Sequence, residues 1–90
     1  MADGLPQNES AIAKKVIDIL AAKLDKPAHG IGLDDDLLRD LGIDSLVMAE
    51  LTVLFEQQVG TKIRGDELLE IQTVRDVVRL LMRRIGAAKP

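Results

Sequence analysis

Three stretches of this chain repeat their aliphatic residues at helical spacing, and none alternates polar and apolar residues as a strand would. Ile12, Val16, Ile19, Leu20 and Leu24 form the first stripe. They predict a helix over 9–25, capped by Asn8 or Ser10 and ended by Pro27 and Gly30. The second helix is expected from Asp44 or Ser45, both good caps, to about Gln58, with Gly60 as its stop. Val74, Val77, Val78, Leu81 and Ile85 make the third and cleanest stripe, opened by the capping box Thr73-Val74-Arg75-Asp76 and closed by Gly86. Before it, Gly65-Asp66 offers a turn and a cap, and Leu68, Leu69 and Ile71 predict one or two helical turns. The expected fold is all-α: a small four-helix bundle of three main helices and one short one. One domain over 9–86 would lie between a polar tail at 1–8 and a short tail at 87–90.

Residues 26–44 read as a long connection between the first two helices. Pro27, Gly30, Gly32 and the run Asp34-Asp35-Asp36 oppose a continuous helix, although 35–40 can form a helical turn. Ile31, Leu33, Leu37, Leu38, Leu41 and Ile43 must still be buried, so the connection is expected to lie over the core. Connections of this length inside small domains are often functional, which directs attention to the residues that follow.

Composition removes most chemistries. There is no cysteine, tryptophan or tyrosine, one phenylalanine and one histidine, His29. Disulfides, thiolate nucleophiles, cysteine zinc sites, paired catalytic imidazoles and aromatic stacking platforms for nucleic acid are therefore excluded. At 47% hydrophobic the chain is too apolar for disorder, and its core must be aliphatic. MADGLPQNES carries neither a basic nor an apolar leader segment, and no apolar run reaches membrane-spanning length, so a cytoplasmic protein without a membrane partner is expected.

The net charge of −3 is unevenly spread. Residues 41–60 hold Asp44, Glu50 and Glu56 and no Lys or Arg, whereas 61–90 is rich in bases. On the second helix Leu46, Ala49, Val53 and Leu54 can make one apolar stripe, while Val47, Met48, Leu51 and Phe55 carry apolar character around the cylinder. Either this helix is central in the bundle or part of its surface meets a partner.

Ser45 stands at the start of that helix, after the long connection. Position alone reads it as an N-cap. It also reads as a modification site, because a phosphate on its hydroxyl would lie at the positive end of a helix. Asp44 beside it favours a phosphodiester, with one charge, over a phosphomonoester.

These residues carry a resemblance. Leu41-Gly42-Ile43-Asp44-Ser45-Leu46 resembles the LGxDSL signature of acyl carrier proteins, Glu50-Leu51 falls where that family commonly has Glu-Leu, and Ile71-Gln72-Thr73-Val74 is similar to its I-x-T-V junction. The resemblance spans about 9–85 and implies a non-catalytic carrier. In it Ser45 would bear 4′-phosphopantetheine, transferred from coenzyme A by a phosphopantetheinyl transferase. The arm's thiol would hold acyl groups as thioesters, received from a loading ligase or acyltransferase and passed to a ketosynthase or other acyl-processing enzymes. A chain without cysteine suits this, since no internal thiol competes for the acyl group.

The resemblance also implies a recognition surface of Asp44, Leu46, Val47, Met48, Glu50 and Glu56. Val47 replaces an acid common in fatty-acid carriers, and no proline stands near Arg64-Gly65. These departures, with the basic last helix, point to a carrier in polyketide or another specialised, fatty-acid-like biosynthesis, with an aminoacyl or peptidyl carrier as the alternative; a single domain with native-like termini is expected to be a discrete protein, and a monomer.

Other features read more plainly. Asp34-Asp35-Asp36 lacks the pattern of a calcium loop and reads as a solvated acidic loop, with no metal expected. His29 lies among proline and glycine without a catalytic partner. Arg75, Arg79 and Arg83, with Arg84 adjacent, support a rival reading as an unmodified helical adaptor or nucleic-acid-binding module. The acidic net charge weighs against it, and no nucleic-acid partner is expected.

Overall fold

The computed structural model describes residues 9–88. Four α-helices follow in order: α1 (Glu9–Leu24), α2 (Ser45–Val59), α3 (Gly65–Leu68) and α4 (Val74–Ala88), with a 3-10 turn at Ala28–Gly30. The described residues contain no strand, only one isolated antiparallel bridge between Asp36 and Thr73. The all-α expectation holds. The tail over 1–8 and the candidate cap Asn8 lie outside the described residues, and Ser10 is already inside α1.

Each main helix buries the face its periodicity marks. Ile12, Val16, Ile19 and Leu20 of α1 meet Val74, Val77, Val78, Leu80 and Leu81 of α4 and Leu51 and Phe55 of α2 in one core. α1 packs chiefly against α4 and then against α2. It stops earlier than Pro27 and Gly30 suggest: Asp25 takes a left-handed conformation (φ 57°), and Lys26 N–H donates back to the Ala21 carbonyl at 3.0 Å. That 6→1 bond is a Schellman stop, with Asp in the place usually held by Gly. α4 likewise runs through Gly86 to Ala88, so Gly86 is not its stop.

α2 corrects the proposed stripe. Leu51 and Phe55 are fully buried, and Val47, Met48, Leu54 and Val59 pack partly against the core. Leu46 (69% exposed), Ala49 and Val53 (51% exposed) instead form an outward ridge at i, i+3 and i+7. Of the two candidate caps, Asp44 acts: its Oδ1 accepts from Val47 N–H at 2.9 Å. Ser45 is the first helical residue and makes no cap. Gly60, at φ 87°, closes the helix by donating to the Glu56 carbonyl.

The connection 31–44 is held against the start of α4. Arg75 N–H donates to the Leu33 carbonyl (2.7 Å), Val74 N–H to the Asp35 carbonyl (3.1 Å), and Leu37 N–H to the Gln72 carbonyl (2.8 Å). The first two donors belong to the first turn of α4 and have no partner within the helix. Asp34 adds a forked ion pair with Arg75 at 2.9 and 3.2 Å. The three aspartates are therefore not simply a solvated run: Asp35 accepts from Gly32 N–H, and Asp36 Oδ1 accepts from both Leu38 and Arg39 N–H. The expected turn after Asp36 is present as a hydrogen-bonded turn rather than a helix, with Asp40 N–H donating to the Asp36 carbonyl.

The capping box of α4 forms as its residue types dictate. Thr73 Oγ1 accepts from Asp76 N–H (3.2 Å), and Asp76 Oδ2 accepts from Gln72 N–H (2.9 Å) and Thr73 N–H (3.1 Å). The Gln72 bond, with those of Thr73, holds the Asp76 carboxyl below its ordinary range, and the Arg75 guanidinium does the same to Asp34.

Two predictions follow from the caps. Asp44→Ala and Thr73→Ala should each cost about 0.5–2 kcal/mol, whereas Ser45→Ala should fall within about 0.5 kcal/mol of wild type; urea unfolding midpoints check both. Because both depressed carboxyls are lower in the folded than in the unfolded chain, their stabilisation is present above the unfolded value and is lost as pH falls through the folded one. Unfolding free energy should therefore drop below about pH 4, less steeply in Asp76→Asn; equal slopes would contradict the assignment.

Candidate functional site

The residues before Ser45 form a rigid mount. Leu41 and Ile43 are buried, and they bracket Gly42, whose left-handed backbone (φ 68°) turns the chain between them. Ile43 N–H donates to the Leu37 carbonyl at 2.8 Å and Gly42 N–H to the Leu38 carbonyl at 3.0 Å. Asp44 then caps α2. Leu41-Gly42-Ile43-Asp44-Ser45 thus reads as anchor, turn, anchor, cap, and a side chain presented to solvent. Ser45 is exposed, and no described residue hydrogen-bonds its hydroxyl. The backbone N–H groups of the first turn of α2 favour negative charge beside it.

A cleft of about 660 Å³ opens next to Ser45, between the turn after Asp36, the first turns of α2 and the segment 65–72. Leu37, Met48, Leu68 and Ile71 supply apolar lining, and Arg39 and Gln72 are among its polar groups. The site offers an accessible alcohol beside an apolar trough. Among the described residues no group of three or more His, Asp or Glu side chains could hold a metal ion. His29 is exposed.

The proposed recognition residues divide into distinct groups. Leu46 and Glu56 face outward. Val47 and Met48 are half-buried against the core, so only part of each remains to meet a partner. Glu50 pairs with Lys23 of α1 at 2.6 Å and so is not a free charge. The arginine row is also divided. Arg75 is taken by Asp34, and Arg84 reaches Glu67 and the Lys62 carbonyl, which leaves Arg79 and Arg83 exposed on that face.

Sequence reasoning expected Leu38 to be buried and placed Leu69 only in a helical turn; both are exposed instead, at 65% and 87%, and line the cleft together with Arg39, which it did not single out. The available signal was the pairs Leu37-Leu38 and Leu68-Leu69, since adjacent residues in a turn cannot both face the core.

Comparison with known proteins gives the family. The family model described as "Phosphopantetheine attachment site" matches residues 14–81. The proteins named "Acyl carrier protein" from Rickettsia massiliae (strain Mtu5) and Rickettsia felis are each 38% identical over 73 residues, covering 81% of this chain and 85% of theirs. The acyl carrier protein of Rickettsia prowazekii (strain Madrid E) matches to the same extent, 38% over 73 residues. No helix among the described residues is long and apolar enough to cross a membrane. On these matches the chain belongs to the acyl carrier protein family, and it is a non-catalytic carrier that uses 4′-phosphopantetheine.

Proposed function

We propose that Ser45 is the attachment residue, through its Oγ. The observation that carries this is the division of labour at the start of α2: Asp44 supplies the cap, so the neighbouring hydroxyl is exposed and uncommitted. A phosphodiester there places one negative charge at the positive end of α2. The adjacent Asp44 carboxylate is already turned to Val47 N–H. Transfer from coenzyme A joins the serine oxygen to the phosphate of the arm and releases adenosine 3′,5′-bisphosphate, with the serine proton passing to the transferase or to water.

The unmodified chain meets its transferase, and the carrier then visits a loading enzyme and acyl-processing enzymes as a cytoplasmic monomer. We assign partner docking to the outward ridge Leu46, Ala49 and Val53 with Glu56 at its far end, a surface more apolar than the acidic helix of common fatty-acid carriers. That bias supports a specialised, polyketide-like pathway.

Intact mass after incubation with coenzyme A, Mg²⁺ and a broad-specificity phosphopantetheinyl transferase tests the attachment. Wild type should gain one phosphopantetheine, and Ser45→Ala none while keeping its helical spectrum. An increment on the variant, or none on folded wild type, would overturn the assignment. For docking, Leu46→Asp with Val53→Asp should weaken binding to the cognate processing enzyme by about tenfold, or 1.4 kcal/mol, with loading by the transferase as a control.

A further inference from the structure

Arg39 is the only Lys or Arg between Lys26 and Lys62, and it stands in a stretch with five aspartates, Asp34, Asp35, Asp36, Asp40 and Asp44. It pairs with none of them. Asp34 is taken by Arg75, Asp35 accepts from Gly32 N–H, Asp40 from Asp36 N–H and Asp44 from Val47 N–H. Asp36 Oδ1 accepts the backbone N–H groups of Leu38 and of Arg39 itself. The carboxylates hold the connection and the helix starts in shape, and the one base among them is left over. Arg64, Arg75 and Arg84 each reach a carboxylate. The Arg39 guanidinium is exposed and has no hydrogen-bond or ion-pair partner among the described residues.

This uncommitted cation lines the cleft on which Ser45 opens. The other charged residues lining it are Asp36 and Asp44, both anions already bonded to backbone N–H groups. A further negative charge on Ser45 Oγ would be repelled by both carboxylates. Against that repulsion the site offers the positive end of α2 and Arg39. A guanidinium suits the task. Its planar fork can donate to two phosphate oxygens at once, and it keeps its charge at any working pH.

We propose that Arg39 is a positioning residue for the prosthetic arm, its guanidinium donating to the two non-bridging oxygens of the phosphodiester on Ser45. The proposal rests on attachment at Ser45. The contact gives the added anion a counter-ion from this chain. It also ties the root of the arm to the turn after Asp36, so that the first bonds of the arm leave α2 in a direction set by the fold. In the unmodified chain the same guanidinium stays free.

The test compares the full chain before and after loading from coenzyme A, in wild type, Arg39→Gln and Arg39→Lys. Because the side chain touches nothing, all three unloaded proteins should unfold at the same urea concentration. On loading, the Arg39 Nε–H resonance of wild type should move, and its exchange with water should slow severalfold. The phosphorus resonance of the loaded protein should differ between wild type and Arg39→Gln, with Arg39→Lys, which keeps the charge but not the fork, in between. Raising sodium chloride to about 1 M should bring wild type towards Arg39→Gln. An Nε–H signal indifferent to loading, or the same phosphorus resonance in wild type and Arg39→Gln, would overturn the contact. So would a difference in phosphorus resonance that salt leaves unchanged. Failure of the attachment reading is distinct: it would appear as a missing mass increment on wild type, or as an increment that persists in Ser45→Ala.

Discussion

The carbonyls of Leu33 and Asp35 accept the first two backbone donors of α4, and most of the remaining architecture depends on that contact. A helix start buried without partners is costly, and a long connection without regular structure leaves its own polar backbone unsatisfied. Each resolves the other's deficit. The connection thereby becomes a fixed part of the fold, buries Ile31, Leu37, Leu41 and Ile43, and delivers the chain to Asp44 in a single orientation. The Asp34–Arg75 ion pair reinforces the contact but is exposed enough that it contributes mainly to alignment.

The same economy of parts operates at the start of α2. Two adjacent residues could each cap the helix; Asp44 does, and the Ser45 side chain is left exposed. A serine acting as cap would direct its hydroxyl towards the backbone and away from an incoming enzyme. The aspartate therefore does more for the carrier by its geometry than by its charge.

Helix existence was legible because burial in a bundle imposes a 3.6-residue period, and the stripes of α1 and α4 carry it almost without exception. Around Ser45 the burial of Leu41 and Ile43 was legible, but the choice of cap between Asp44 and Ser45 and the left-handed turn at Gly42 were not. What stayed hidden depends on residues far apart in sequence. Nothing local shows that Asp34 will meet Arg75 or that Glu67 will meet Arg84, so the aspartate run looked solvated and the arginine row looked whole. Nor can composition say which leucine of Leu37-Leu38 or Leu68-Leu69 turns outward, because the choice is made by packing. On α2 the sequence left open which apolar face is buried, because apolar residues occupy nearly every face; packing sets Leu46, Ala49 and Val53 outward.

The contact between the connection and α4 also orders events in time. Asp34 and Arg75 are 41 positions apart, with Ser45 between them. As the chain emerges during synthesis, Ser45 is exposed long before Val74 and Arg75 exist to hold the connection in place. An enzyme that reads the serine in its folded setting, rather than as a peptide, therefore meets its substrate only after α4 has docked. The order of synthesis thus separates the appearance of Ser45 from the completion of its folded setting.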